Sequence, residues 1–274
     1  MNDRDSLKAR IDTLSPMAVR FVARLVDSLA DAPTPNAITP TWLTRHPEWI
    51  EYFGLAVSAH HGTTTEPLGL TSFETVFRNA CEALEWSIDA PGSATRRFVD
   101  VTVTLADGTT RRLSLKSTAA KNLRERTAHI SKLTEAAWIQ DVRSTRARRR
   151  RTLELFRDYR AAVDAIVLLR AFREPGTVPN RYQLVEIPSD LFKSLEDVPE
   201  SAFAADGPVI DCAYGGLSSA AQVSIDRSDA KITIRRIQLS ACIVHAEWRL
   251  VIPTAGPSES LGSPASRAPL LQKR

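Results

Sequence analysis

The 274-residue sequence predicts an α/β fold: a mixed central sheet flanked by helices, with a helical part ahead of it. Three observations predict it. Residues 97–116 alternate apolar and polar side chains around an Ala106-Asp107-Gly108 turn, as two half-buried strands do. Ala165 to Phe172 is a nearly continuous apolar run rich in Ile, Val and Leu, the mark of a central strand covered on both faces. Apolar residues before residue 90 recur at helical spacing instead.

In chain order, Ser6 to Asp31 reads as two helices. Ser15 is the N-cap and Pro16 the first residue of the second, whose apolar stripe is Val19, Val22, Ala23, Val26 and Leu29. After a Pro-rich link, Trp42 to His60 reads as one or two short helices broken at Pro47, with Trp42 and Trp49 in the core. A loop spans Gly62 to Gly69. Thr71 and Glu74 form a capping-box pattern that opens a helix over Ser72 to Leu84.

The hairpin comes next. A two-residue turn would set Asp100 opposite Leu115 and mix polar with apolar side chains. A three-residue turn with Gly108 left-handed sets Asp100 opposite Ser114 and Val101 opposite Leu113. The second register places Val99, Val101, Val103, Leu105, Leu113 and Leu115 on one face, and Asp100, Ser114 and Lys116 on the other.

Ser117 to Asn122 is a polar exit from the second strand. Ser131 to Ala162 reads as a long helix or a broken pair, with Leu153, Phe156, Tyr159 and Val163 on its second apolar stripe. Arg181 to Ile187 is a further strand, and Ser189 caps a short helix. Ala204 to Ser219 is looser and Gly-containing. Gln222 to Ile225 and Lys231 to Ile237 form a second hairpin, and Leu239 to Ile252 continues as strand. The resulting division is a helical part over 1–70 packed on a body over 71–252. A Pro/Ser/Gly/Ala-rich tail over 253–274 has no periodicity and is expected to be disordered.

Composition excludes some classes. Apolar content of 43% and charged content of 25% suit a soluble globular chain. No run nears the roughly 20 apolar residues of a membrane span, so no membrane role is expected. The charged start Met1-Asn2-Asp3-Arg4-Asp5 is unlike a secretory signal. Cys81, Cys212 and Cys242 are far apart and odd in number, as reduced thiols of a cytoplasmic protein are. The net charge is only +4, yet six of the nine residues from Arg143 to Arg151 are arginine. Such a run is either a phosphate-binding patch or a solvated helix face.

The polar hairpin face carries the chemistry. Phosphodiester hydrolysis needs an activated water, a cation on the phosphate and help for the leaving oxygen. Magnesium takes hard oxygen ligands from one or two carboxylates, with waters and phosphate oxygens completing its shell. Asp100 and the backbone carbonyl of Leu115 could hold the ion, and Lys116 could orient the attacking water. The plainer reading is a cross-strand Asp100–Lys116 ion pair, contributing a few tenths of a kcal/mol. Glu74 likewise has two readings, a helix-capping side chain or a further ligand. Lys121 and Lys132 follow closely enough to contact the backbone of a nucleic acid, while His129 is either a contact or a solvent-facing histidine. His60-His61 lacks ligand spacing, and His245 sits in an apolar strand as a core histidine.

A helix with Glu74, a strand with Asp100, then Ser114-Leu115-Lys116 and a following helix resembles the PD-(D/E)xK nuclease core over about residues 71–170. Ser114 stands where that family has Asp or Glu, a departure that puts metal affinity in question and that Glu74 could offset. The stretches Leu113 to Asn122, His129-Ile130-Ser131-Lys132, Tyr182 to Pro188 and Cys242-Ile243-Val244-His245 resemble type II restriction endonucleases of the SmaI kind. The resemblance implies a restriction-endonuclease-like core, a Mg2+-dependent endonuclease and a homodimer cutting double-stranded DNA at a short, GC-rich palindrome. It implies catalytic Asp100, Lys116 and Glu74, with metal on Asp100, Glu74 and the Leu115 carbonyl. DNA contacts fall on Lys121, Asn122, His129, Lys132, Arg143 and Arg146, the last two reaching guanine edges. Two alternatives remain: a nicking repair or defence nuclease, and a non-catalytic DNA-binding protein on a decayed nuclease fold.

Overall fold

The computed structural model describes residues 2–89, 97–174 and 177–250. Its helices are α1 (Asp3–Asp12), α2 (Pro16–Ala30), α3 (Pro47–His61), α4 (Leu70–Glu82), α5 (Trp138–Asp141) and α6 (Thr145–Ala162). Its strands are β1 (Pro35–Ala37), β2 (Ser87–Asp89), β3 (Val101–Thr104), β4 (Thr110–Thr118), β5 (Thr127–Glu135), β6 (Ala165–Phe172), β7 (Arg181–Pro188), β8 (Val209–Tyr214), β9 (Leu217–Asp226), β10 (Lys231–Gln238) and β11 (Ile243–Arg249). Seven strands form a central sheet in the order β1-β11-β7-β6-β4-β3-β2, and four form a small sheet in the order β5-β10-β9-β8. Only β4 and β6 run parallel, so the central sheet is mixed, as the sequence predicts. A parallel pair needs a crossover, and the crossover from β4 to β6 carries β5, α5 and α6.

Each face of the central sheet is covered. On one, α3 and α4 press Trp49, Phe53, Phe73 and Phe77 against Val101, Val103, Leu113 and Leu115. On the other, α6 supplies Leu153, Phe156 and Tyr159, and the small sheet supplies Ile130, Val223 and Ile234. Strand β6, buried along its whole length, lies between the two cores. At one edge of the first core, α3 approaches β11 so closely that a Cβ on Gly54 would lie 2.9 Å from Trp248 Cδ1. No helix among the described residues is long and apolar enough to cross a membrane.

The hairpin has the predicted register: Val101 faces Leu113 and Thr104 faces Thr110. Gly108, at φ +83°, takes the left-handed position, where any Cβ would be strained. Asp107 Oδ1 accepts from Thr109 N at 2.8 Å to close the turn. The first arm is shorter than expected. Phe98 turns the chain at φ +79°, and Val99 is delivered to the opposite core from Val101 and Val103.

Several other expectations are corrected. Pro47 opens α3 as its first residue and breaks nothing. Gly69 is the N-cap of α4, so Thr71 lies inside the helix and there is no capping box. Ser15 does cap α2, accepting from Ala18 N, but the apolar stripe of that helix leaves Val19, Val26 and Leu29 exposed. Residues 131–135 are strand, because Ala128, Ile130 and Leu133 bury against β10, a partner about a hundred residues away. Residues 209–214 are strand too, as the first arm of a local hairpin with β9 across Gly215 and Gly216. Pro188 precedes the short helix that begins at Ser189, and no side chain caps it. A helical turn over Leu239–Ala241 splits the last strand, so β10 joins the small sheet and β11 the central one. The tail over 253–274 lies outside the described residues.

Candidate active site

Three elements converge at the end of the hairpin. β4 presents Ser114 and Lys116 on the polar side that its alternation dictates, and Leu113 and Leu115 face the core. Asp100 sits at the bend before β3, held there by its own N–H, which donates to Leu113 O at 2.9 Å. Its Oδ2 accepts from Leu115 N at 2.7 Å, Ser114 Oγ at 3.1 Å and Lys116 Nζ at 3.1 Å. All three donors meet one oxygen, leaving Oδ1 without a hydrogen bond among the described residues. The Lys116 side chain is 16% exposed and that of Asp100 31%, so the pair is half-desolvated and its ammonium is tightly positioned.

Lys116 Nζ also donates to Leu115 O at 2.9 Å. Two of its three N–H groups are thus engaged, and the third is available to a substrate. Glu74 on α4 comes to the same place, half-buried and outside any cap. Burial and then the neighbouring Asp100 carboxylate raise its pKa from the ordinary 4.5, outweighing Arg78 and Lys116. Two carboxylates close enough to repel, one with an open oxygen, are a hard-oxygen donor set that a small divalent cation would satisfy. Only two carboxylates meet here; among the described residues no cluster of three His, Cys, Asp or Glu side chains is assembled.

Two neighbours escaped the sequence reading. Arg78 donates to Asp100 O at 3.1 Å, while its buried Nε has no partner among the described residues. It lies four residues after Glu74 on the same helical face, and that spacing is the signal that could have found it. Tyr159 is fully buried on α6 beside Ser114, its hydroxyl lacking a well-formed hydrogen bond among the described residues. Ser114 is itself 1% exposed and donates to Asp100 in place of carrying a carboxylate.

The other predicted residues fall into three places. Lys121, Asn122 and His129 share a hollow with Arg235 and Arg236. Lys132, also on β5, points to solvent and pairs with Glu135. Arg143 and Arg146 are exposed at and before the start of α6. Arg146 precedes Tyr159 by thirteen residues, roughly 20 Å along the helix axis, so these arginines are not part of the Asp100 cluster.

The arginine run itself is divided. Arg148 is buried and donates to Phe203 O at 2.6 Å and Ala205 O at 2.7 Å. Arg149 donates to Val198 O and Glu196 O. Arg150 and Arg151 pair with Glu154 on the helix surface. His245 is a core histidine, set between Thr41 Oγ1 at 2.8 Å and Glu186 Oε2 at 3.1 Å.

With this geometry in hand, comparison with known proteins is informative. The chain is 25% identical over 215 residues to the type II restriction enzyme SmaI of Serratia marcescens, covering 75% of this chain and 81% of that protein. The chain is a distant relative of a restriction enzyme. No family model matches it, and no solved structure does. This relationship favours a nuclease over a surface ion pair as the meaning of the Asp100–Lys116–Glu74 cluster.

Proposed function

We propose that the protein is a cytoplasmic type II restriction endonuclease, hydrolysing double-stranded DNA at a short, GC-rich palindrome to leave 5′-phosphate and 3′-hydroxyl ends. The convergence of Asp100, Lys116 and Glu74 on one polar corner, in a chain related to a restriction enzyme, carries the reading.

Asp100, through its open Oδ1, and Glu74 would hold Mg2+ together with the Leu115 carbonyl oxygen. When bound, the ion supplies positive charge to the scissile phosphate and lowers the pKa of a coordinated water. Lys116 stabilises the attacking oxygen as it loses its proton, using the N–H left over from Asp100 and Leu115 O. Arg78 fixes the Asp100 backbone, and Ser114 and Leu115 N fix its carboxylate, so the group is positioned before substrate arrives. Lys121, Asn122 and Lys132 contact the DNA backbone in this reading, with Arg143 and Arg146 reaching it farther along. A palindrome carries two-fold symmetry, which a homodimer matches with one active site per strand.

The test is incubation of plasmid DNA with the protein in magnesium or in EDTA. Discrete fragments in magnesium alone support the proposal, and sequencing their ends gives the site. Nicked circles without linear product would favour the nicking-nuclease reading. Binding without cleavage on several DNAs would overturn nuclease function, and the carboxylate that Ser114 lacks would then explain a decayed site.

A further inference from the structure

The outer face of the small sheet is the second organised polar surface of the molecule. Asp211 on β8 faces Gln222 on β9, which faces Arg235 on β10, and His129 on β5 lies against the Arg235–Arg236 bulge. Their neighbours along each strand, Ile210, Val223, Ile234 and Ile130, are buried in the core. Alternation therefore points this row at solvent.

Asp211 Oδ1 is satisfied by Ser219 Oγ at 2.5 Å and Gln222 Nε2 at 3.0 Å, both uncharged donors. Arg235 has no hydrogen bond or ion pair among the described residues, even with an acid in its row. Its fork of donors is presented to the outside on a strand flanked by two others. His129 is held toward its neutral form by partial desolvation in the hollow and by Arg235, and so offers a directional hydrogen bond more than a charge.

We infer that the β5–β10 ribbon enters the DNA major groove and that Arg235, seconded by His129, reads a guanine of the recognition site. β5 is an edge strand of the small sheet and β10 its neighbour, so this two-stranded edge, with about 4.8 Å between strands, is the part of the sheet that a groove roughly 12 Å wide admits. Guanine offers O6 and N7 there as a pair of acceptors, which a guanidinium fork meets bidentately. The ribbon is tied to the candidate cutting strand: the chain leaving β4 after Thr118 passes through Lys121 and Asn122, which line the same hollow as His129 and Arg235. On β6, Arg170 stands in register with Thr118 and donates to Arg124 O and Thr127 O, pinning the start of β5.

The inference rests on the endonuclease reading, and its test separates the two. On a duplex holding the mapped site, Arg235→Lys keeps the charge and loses the fork. Its kcat/KM is expected to fall about 10- to 100-fold, and discrimination against substitutions at one G·C pair is expected to collapse while other positions stay selective. An even loss on all duplexes, or unchanged discrimination, would overturn the assignment. His129→Gln should weaken the same position less. If the wild type cuts no DNA, the endonuclease reading fails by itself. Selection from a randomised duplex pool in EDTA then decides: enrichment of a guanine that Arg235→Lys loses supports the ribbon as reader, and no enrichment refutes it.

Discussion

Arg148 and Arg149 on α6 are committed to backbone carbonyls of residues 196–205, whereas Arg235 on the small sheet has no partner among the described residues. The contrast separates two uses of one side chain. A guanidinium that satisfies carbonyls of a segment lacking regular ladder partners is structural, and removing it strands those acceptors. A guanidinium fixed on a strand and left unsatisfied contributes little to the fold and is available to a ligand. Density of charge along the chain is therefore a poorer guide to function than the partners each charge already has.

The same contrast orders the expected effects of mutation. The largest belongs to the cutting corner. Lys116→Ala should reduce cleavage by at least about 10³-fold, since a transition-state charge loses its donor. The melting temperature should stay near wild type, because Asp100 keeps its hydrogen bonds from Leu115 N and Ser114 Oγ when the ammonium is gone. Wild-type rates would remove Lys116 from the mechanism. Next comes Arg148→Ala, expected to cost about 2–4 kcal/mol in denaturant unfolding by orphaning its carbonyls. Arg235→Lys should cost within about 0.5 kcal/mol. Equal losses would break the distinction between the two arginines.

Glu74 is read by pH. Its folded pKa is raised, so its contribution to stability is present below the ordinary value of 4.5 and is lost as pH rises through the raised one. The metal-free protein should therefore lose stability over that window, and Glu74→Gln should flatten the loss. Cleavage should rise over the same window, because a metal ligand must be deprotonated, and Glu74→Gln should abolish that rise along with most activity. Parallel slopes for stability and activity would refute the ligand role. The smallest effect is expected for Arg146→Ala, a uniform weakening of DNA binding with the salt slope reduced by about one and no change of site. A changed cleavage site would move base reading to α6.

Local pattern carried the hairpin, because its register depends on a turn and two alternating arms that are adjacent in the chain. Asp100 and Lys116 were legible for that reason, as was the buried strand β6. The small sheet was legible only in its β9–β10 hairpin, whose arms are joined by a short turn. β5 pairs with β10 across about a hundred residues, so the short alternation at Thr127–Glu135 has no nearby partner to distinguish it from a helix start. His129 was visible as a residue but its neighbour Arg235 was not, since the two meet only in the folded sheet. Glu74 stayed ambiguous because Thr71 mimics a cap; Gly69 decides the matter by starting the helix two residues earlier than that pattern implies.

The order of strands bears on how the protein is made. β11 comes last in the chain yet lies between β1 and β7, with Trp248 sealed against Ile50 and Gly54. β10, needed between β5 and β9, ends only five residues before β11 begins. A nascent chain emerging from its N-terminus can complete the small sheet once β10 is out, and the central sheet only once β11 follows. The ribbon that would read is thus paired before the sheet that carries the cutting corner is complete, so the means of discrimination precedes the finished cutting body.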